Sequence, residues 1–93
     1  MIRMNYANAA DKSDAFSKVK QAITPELIKK YGVSADFDYN EAAGKIVATG
    51  KGFEFFMNFL DKEIEADLKL SLLLKPFKNK IIESLEKQIK RVI

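Results

Sequence analysis

The sequence predicts an α+β domain: an N-terminal strand, one or two helices, a four-stranded antiparallel meander, and a long C-terminal amphipathic helix packed on the sheet. Three observations carry that prediction. Apolar residues alternate with polar ones through most of residues 35–74, whereas residues 13–31 and 76–93 space theirs at helical intervals. Gly, Asn and Asp clusters fall between the alternating runs at hairpin spacing. With 93 residues, 47% of them hydrophobic, the chain fits one domain spanning residues 1–93 with a real core and no room for a second.

Ile2, Met4 and Tyr6 alternate with Arg3 and Asn5 and predict an edge strand, followed by a polar turn at 8–12. Ser13 or Asp14 is the expected N-cap of a helix whose apolar positions are Phe16, Val19, Ala22 and Ile23. Thr24-Pro25-Glu26 then supplies a second cap with proline at the first helical position, Leu27, Ile28 and Tyr31 continue the apolar face, and Gly32 is the expected stop.

The period then changes. Ala35, Phe37 and Tyr39 alternate with Asp36 and Asp38, a turn follows at 40–44, and a strand at 45–49 leads to the Gly50-Lys51-Gly52 turn. Phe53, Phe55, Met57 and Phe59 share one face of the next strand, and after Asp61-Lys62 the row Ile64, Ala66, Leu68, Leu70, Leu72 and Leu74 predicts a half-buried strand running to residue 74. Pro76 ends it and opens the last helix. At 100° per residue, Phe77, Ile81, Ile82, Leu85, Ile89, Val92 and Ile93 fall in an arc of about 160°, the expected core-facing stripe. Lys78 lies inside that arc and must snorkel or reach a partner. Glu83 with Lys87 and Glu86 with Lys90 are favourable i,i+4 pairs.

Composition removes much chemistry. The chain has no cysteine and no histidine, so disulfides, thiolate nucleophiles and the usual general base are excluded, and no catalytic, metal or cofactor site is expected. Glu63, Glu65 and Asp67 share one strand face, which a solvated face explains without function. Asp36 to Asn40 imitates a calcium loop but carries Glu41 where glycine is required and Val47 at the bidentate position. Gly44, Gly50 and Gly52 lack phosphate-loop spacing, and Ser13, Ser17 and Ser84 have lysines nearby but no oxyanion motif.

The formal charge is +3, and residues 75–93 carry six cations against two acids, so the whole basic excess lies at that end. Lys80, Lys87 and Arg91 form a candidate basic stripe beside the apolar arc, suited to phosphates or lipid headgroups, although three cations among Glu83 and Glu86 make nucleic acid a poor expectation. Val47, Phe56, Leu60 and Leu73 have the parity opposite to the core and form a candidate apolar interaction surface if they cluster, fit for a homodimer, a protein partner or an apolar particle; strand ends or bulges would bury them instead. Between sheet and C-terminal helix the choice stays open between a packed core and a small apolar-ligand cavity. No apolar run is long enough to span a bilayer and no signal-peptide pattern opens the chain, so the expectation is a cytoplasmic protein without a transmembrane segment.

The run from Ala66 to Ile81, alternating leucines passing through Leu72-Leu73-Leu74-Lys75-Pro76-Phe77 into a basic amphipathic helix, resembles the C-terminal half of the polyhydroxyalkanoic acid system proteins, the granule-region family of small bacterial domains. The resemblance implies a non-enzymatic, granule-associated or interaction protein in storage-polyester metabolism, with the granule surface or another protein as partner. It carries no catalytic or binding residue with it. The order of elements is also similar to a shortened helix-grip domain, a class that often holds apolar ligands.

Overall fold

The computed structural model describes residues 2–30 and 34–93, so the expectations for Tyr31 and Gly32 lie outside the described residues. Its elements run β1 (Ile2–Asn5), α1 (Lys12–Ala22), α2 (Pro25–Lys29), β2 (Ala35–Asn40), β3 (Lys45–Gly50), β4 (Phe53–Phe59), β5 (Glu63–Leu70), a 3₁₀ turn at Lys75–Phe77, and α3 (Lys78–Val92). The strands form one antiparallel sheet in the order β1-β5-β4-β3-β2: the meander β2 to β5 with β1 added beyond β5. This is the α+β architecture that the sequence predicts.

Register puts one apolar set on the helix side. Ile46 pairs with Met57 and Met57 with Ala66, Ala48 with Phe55 and Phe55 with Leu68, and Phe59 pairs with Ile64, itself paired with Met4. Directly opposed residues share a face, so these rows make a continuous floor. Phe16, Val19, Ile23 and Ile28 of the first helical segment, with Leu85, Ile89 and Ile93 of the last, close over it, and all are buried. Phe16 meets Phe59 edge-on at 5.3 Å and 62°, joining α1 to the sheet. The oxygen of Ile93 accepts from the N–H groups of Ala7, Asn8 and Ala9, which fixes the end of α3 to the loop after β1.

Three boundaries differ from the sequence reading. The N-cap of α1 is Asp11, whose side chain accepts from the N–H of Asp14 at 2.8 Å; Ser13 and Asp14 lie inside the first turn. The last strand stops at Leu70, because its partner β4 begins at Phe53, opposite Leu70, and a strand exists only where a ladder partner does. Beyond it, Ser71 N–H donates to the Gly52 carbonyl, while the N–H groups of Leu74 and Lys75 both turn back to the Ser71 carbonyl. Gly52 permits that close approach with φ +88; a Cβ there would stand 3.0 Å from Ser71 Oγ. Pro76 therefore sits in the 3₁₀ turn ahead of the helix, and Phe77, expected in the core stripe, is 54% exposed.

Candidate functional site

α3 is clamped along its C-terminal half and stands off along its N-terminal half. Leu85, Ile89 and Ile93 are buried, whereas Ile81 and Ile82 are only half-buried and Lys78 is exposed. On the sheet beneath that first half, Ala48 places a small side chain between the larger Ile46 and Phe55. Five-residue α2 contributes one buried side chain, Ile28, on the far side. A short cover, a small floor residue and a diverging helix leave a groove of about 640 Å³.

The groove is lined from three sides: Ile28 of α2, Ala48, Phe55 and Leu68 of the sheet, and Ile81 and Leu85 of α3. Leu74 and Phe77 close the end where the chain turns into α3. Lys80, Glu83 and Lys87 belong to the same lining and are exposed, so they occupy its rim. Its volume is typical of small-molecule sites, which span about 300–1,000 Å³ and combine apolar walls with a few polar groups. A groove therefore lies between the sheet and the C-terminal helix.

The candidate basic stripe divides. Lys80 and Lys87 line the groove, whereas Arg91 is an exposed residue of the last turn of α3, outside the lining. Of the two expected helix pairs, Glu86 and Lys90 meet at 3.5 Å. Glu83 instead lies at the groove rim with Lys87.

The candidate apolar surface is not one patch. Val47 and Phe56 are cross-strand partners on the outer face, both half-buried, with the Lys69 ammonium 5.4 Å from the Phe56 ring centroid. Asp38 and Asp67 flank them in the adjoining strands. Leu60 follows the last residue of β4 and is half-buried, its N–H donating to the Glu63 carbonyl and its carbonyl accepting from Tyr6 Oη at 2.6 Å. Leu73 lies past the opposite end of β5, in the turn, where it is 86% exposed beside Leu72 at 81%. The parity rule places Val47 and Phe56 correctly and fails for the other two, which lie beyond their strands.

Acidic candidates have structural work. Arg3 reaches Glu63 at 3.6 Å and Glu65 at 3.9 Å, and Asp67 accepts from the N–H of Leu68 at 2.9 Å. Among the described residues no group of three or more carboxylates is placed to hold a metal ion. At the end of the sheet away from the β5–α3 turn, Asp11, Glu41 and Asp61 line a smaller depression. Nearby, Tyr6 is pushed up to about 12, first by burial and then by Asp61, Asp11 and Glu63. Burial, with Glu26 adding to it, also raises Tyr39, whose hydroxyl donates to the Ile23 carbonyl at 3.4 Å.

Sequence reasoning missed most of the lining. Ile23, Ile28 and Ala48 read as ordinary core positions, and only distant elements brought together reveal the space between them. One signal was available: Lys78 inside the apolar arc marks a helix that has not yet reached its packing surface. Among the described residues no helix is long and apolar enough to cross a membrane. In comparisons with known proteins, no family model, no curated protein and no solved structure matches this chain.

Proposed function

We propose that this domain is a non-enzymatic binding module for an elongated apolar ligand with an anionic end, of the fatty-acyl class. The observation that carries the reading is the groove: about 640 Å³, walled by apolar side chains from α2, the sheet and α3, with lysines at its rim. The chain of the ligand replaces water along Ile28, Ala48, Phe55, Leu68 and Ile81, gaining roughly 25 cal/mol per Å² of apolar surface removed from water. Lys80 and Lys87 supply the positive charge that answers a carboxylate, and Glu83 between them keeps the rim from being a general anion site.

The test is titration of delipidated protein with a fluorescent fatty acid. Saturable binding is expected, abolished by Ile81→Trp, which fills the groove from its half-buried wall, and weakened by Lys80→Gln with Lys87→Gln for the acid but not for its methyl ester. Binding indifferent to Ile81→Trp would remove the groove from consideration.

A second reading, association with a storage-polyester granule, is supported by the resemblance at residues 66–81 and by the exposure of Leu72 and Leu73. It predicts co-sedimentation with polyhydroxybutyrate particles that survives high salt.

A further inference from the structure

The turn between β5 and α3 carries the most exposed apolar side chains of the described residues. Leu72 is 81% exposed, Leu73 86% and Phe77 54%. All three lie within six residues of one turn at the tip of the sheet beyond Leu70, and the backbone bonds from Ser71 to Gly52 and from Leu74 and Lys75 to Ser71 brace it. Two adjacent leucines held in water by a braced turn are available to an apolar partner.

Charge identifies what covers them. From Leu68 to Ile82 the chain holds four lysines and no acid: Lys69, Lys75, Lys78 and Lys80. Lys51, next to Gly52 in the neighbouring hairpin turn, is also exposed at this end. Glu54 stands cross-strand from Lys69 and offsets it, which leaves Lys51, Lys75, Lys78 and Lys80 as the collar. Asp11, Glu41 and Asp61 lie around the depression at the other end of the sheet. An apolar tip collared by cations matches a surface that is negative outside and apolar beneath. A polyester surface answers the leucines but offers no fixed negative charge to the lysines.

We infer that the Leu72-Leu73 turn is a lipid-docking tip: Leu72, Leu73 and Phe77 insert among the acyl chains of an anionic bilayer while Lys51, Lys75 and Lys78 meet its headgroup phosphates. Leu74 and Phe77 also line the end of the groove, so docking sets that end of the groove against the membrane. The inference stands whether or not the groove carries a fatty acyl chain, because Leu72, Leu73 and the collar's Lys51, Lys75 and Lys78 are outside its lining.

Sedimentation of the whole protein with phosphatidylcholine vesicles, with vesicles containing phosphatidylglycerol, and with polyhydroxybutyrate particles, at low and high salt, tests it. Binding to the anionic vesicles is expected to exceed binding to the neutral ones. Replacing Leu72 and Leu73 by serine should weaken it about a hundredfold. Lys75→Gln with Lys78→Gln, which leaves Lys80 and Lys87 in place, should weaken it about thirtyfold. The protein has no tryptophan, so a Leu73→Trp variant reports insertion directly as a blue-shifted emission on anionic vesicles. Circular dichroism confirms that each variant folds. Equal binding to both vesicle types, insensitivity to the leucine substitutions, binding to polyester alone, or binding to none would overturn the inference; loss of fatty-acid binding with vesicle binding intact would not, since that result concerns the groove.

Discussion

At the scale of single residues, Tyr6 shows how one side chain joins a strand to a distant turn. Its hydroxyl donates to the Leu60 carbonyl at 2.6 Å and its N–H to the Lys62 carbonyl, while burial first, and then Asp61, Asp11 and Glu63, oppose loss of its proton. A phenol raised in the folded state stabilises the fold fully below its ordinary value of 10.0, and that contribution disappears as pH rises through about 12. Tyr6→Phe should lower stability by about 1 kcal/mol at neutral pH, with the gap to the parent narrowing as pH climbs from 10.0 toward about 12. Urea titrations across that range measure the gap. Single residues also mark where sequence reading succeeds. The buried rows Phe55, Met57, Phe59 and Ile64, Ala66, Leu68 follow from alternation alone, because a paired strand fixes every second side chain. Leu72 and Leu73 continue the same alternation in sequence and have no strand opposite, a fact held by the position of Gly52 rather than by their own identity.

Elements are governed by their ends. The first turn of α1 is closed reciprocally, Asp11 accepting from Asp14 N–H at 2.8 Å and Asp14 accepting from Ala10 N–H at 2.9 Å, with Lys18 3.0 Å from the Asp14 carboxylate. The Ala10 bond first, and Lys18 second, hold the Asp14 carboxyl below its usual range, so this support is present above that range and is lost as pH falls. Asp11→Ala should cost about 1 kcal/mol, read as a lower thermal midpoint, while Ser13→Ala should be close to neutral because Ser13 caps nothing. Ser13 and Asp14 are good capping residues standing near a better-placed one, and composition alone does not choose among the three. The start of α3 departs from the sequence expectation for a related reason. Helical periodicity finds the stripe of Leu85, Ile89 and Ile93 but is blind to where along its length a helix meets its partner, so it places Phe77 in a core that begins two turns later.

The whole molecule has a loaded side and a bare one. Helices cover the apolar face of the sheet, and the outer face carries Arg3, Glu63, Glu65, Lys45 and the aspartates of β2, with Val47 and Phe56 as an apolar pair among them. The exposed aspartates of β2 guard the sheet edge against pairing with another chain. Fold class was legible because each element announces its period and each turn its punctuation. The groove was not, since an unfilled volume is a property of three elements meeting imperfectly, and no segment contains it. If a fatty acid fills that space, protein in ligand at a hundred times its dissociation constant should gain about 2.7 kcal/mol of stability, visible as a raised thermal midpoint. A raised midpoint that is retained in Ile81→Trp would place the ligand elsewhere.

The pairing of Ile2 with Ala66 and of Asn5 with Glu63 joins the first strand to the last across most of the chain. The β3–β4 and β4–β5 hairpins close loops of a few residues, whereas β1 must close one of about sixty, so local pairing has the entropic advantage and β1 docks after its partner strand is already in place. During synthesis, β1 leaves the ribosome before its partner and waits unpaired until the residues of β5 have followed. Met4→Ala should accordingly speed unfolding while leaving the refolding rate nearly unchanged, whereas Met57→Ala, in the early meander, should slow refolding, a contrast that stopped-flow measurements of both limbs can read.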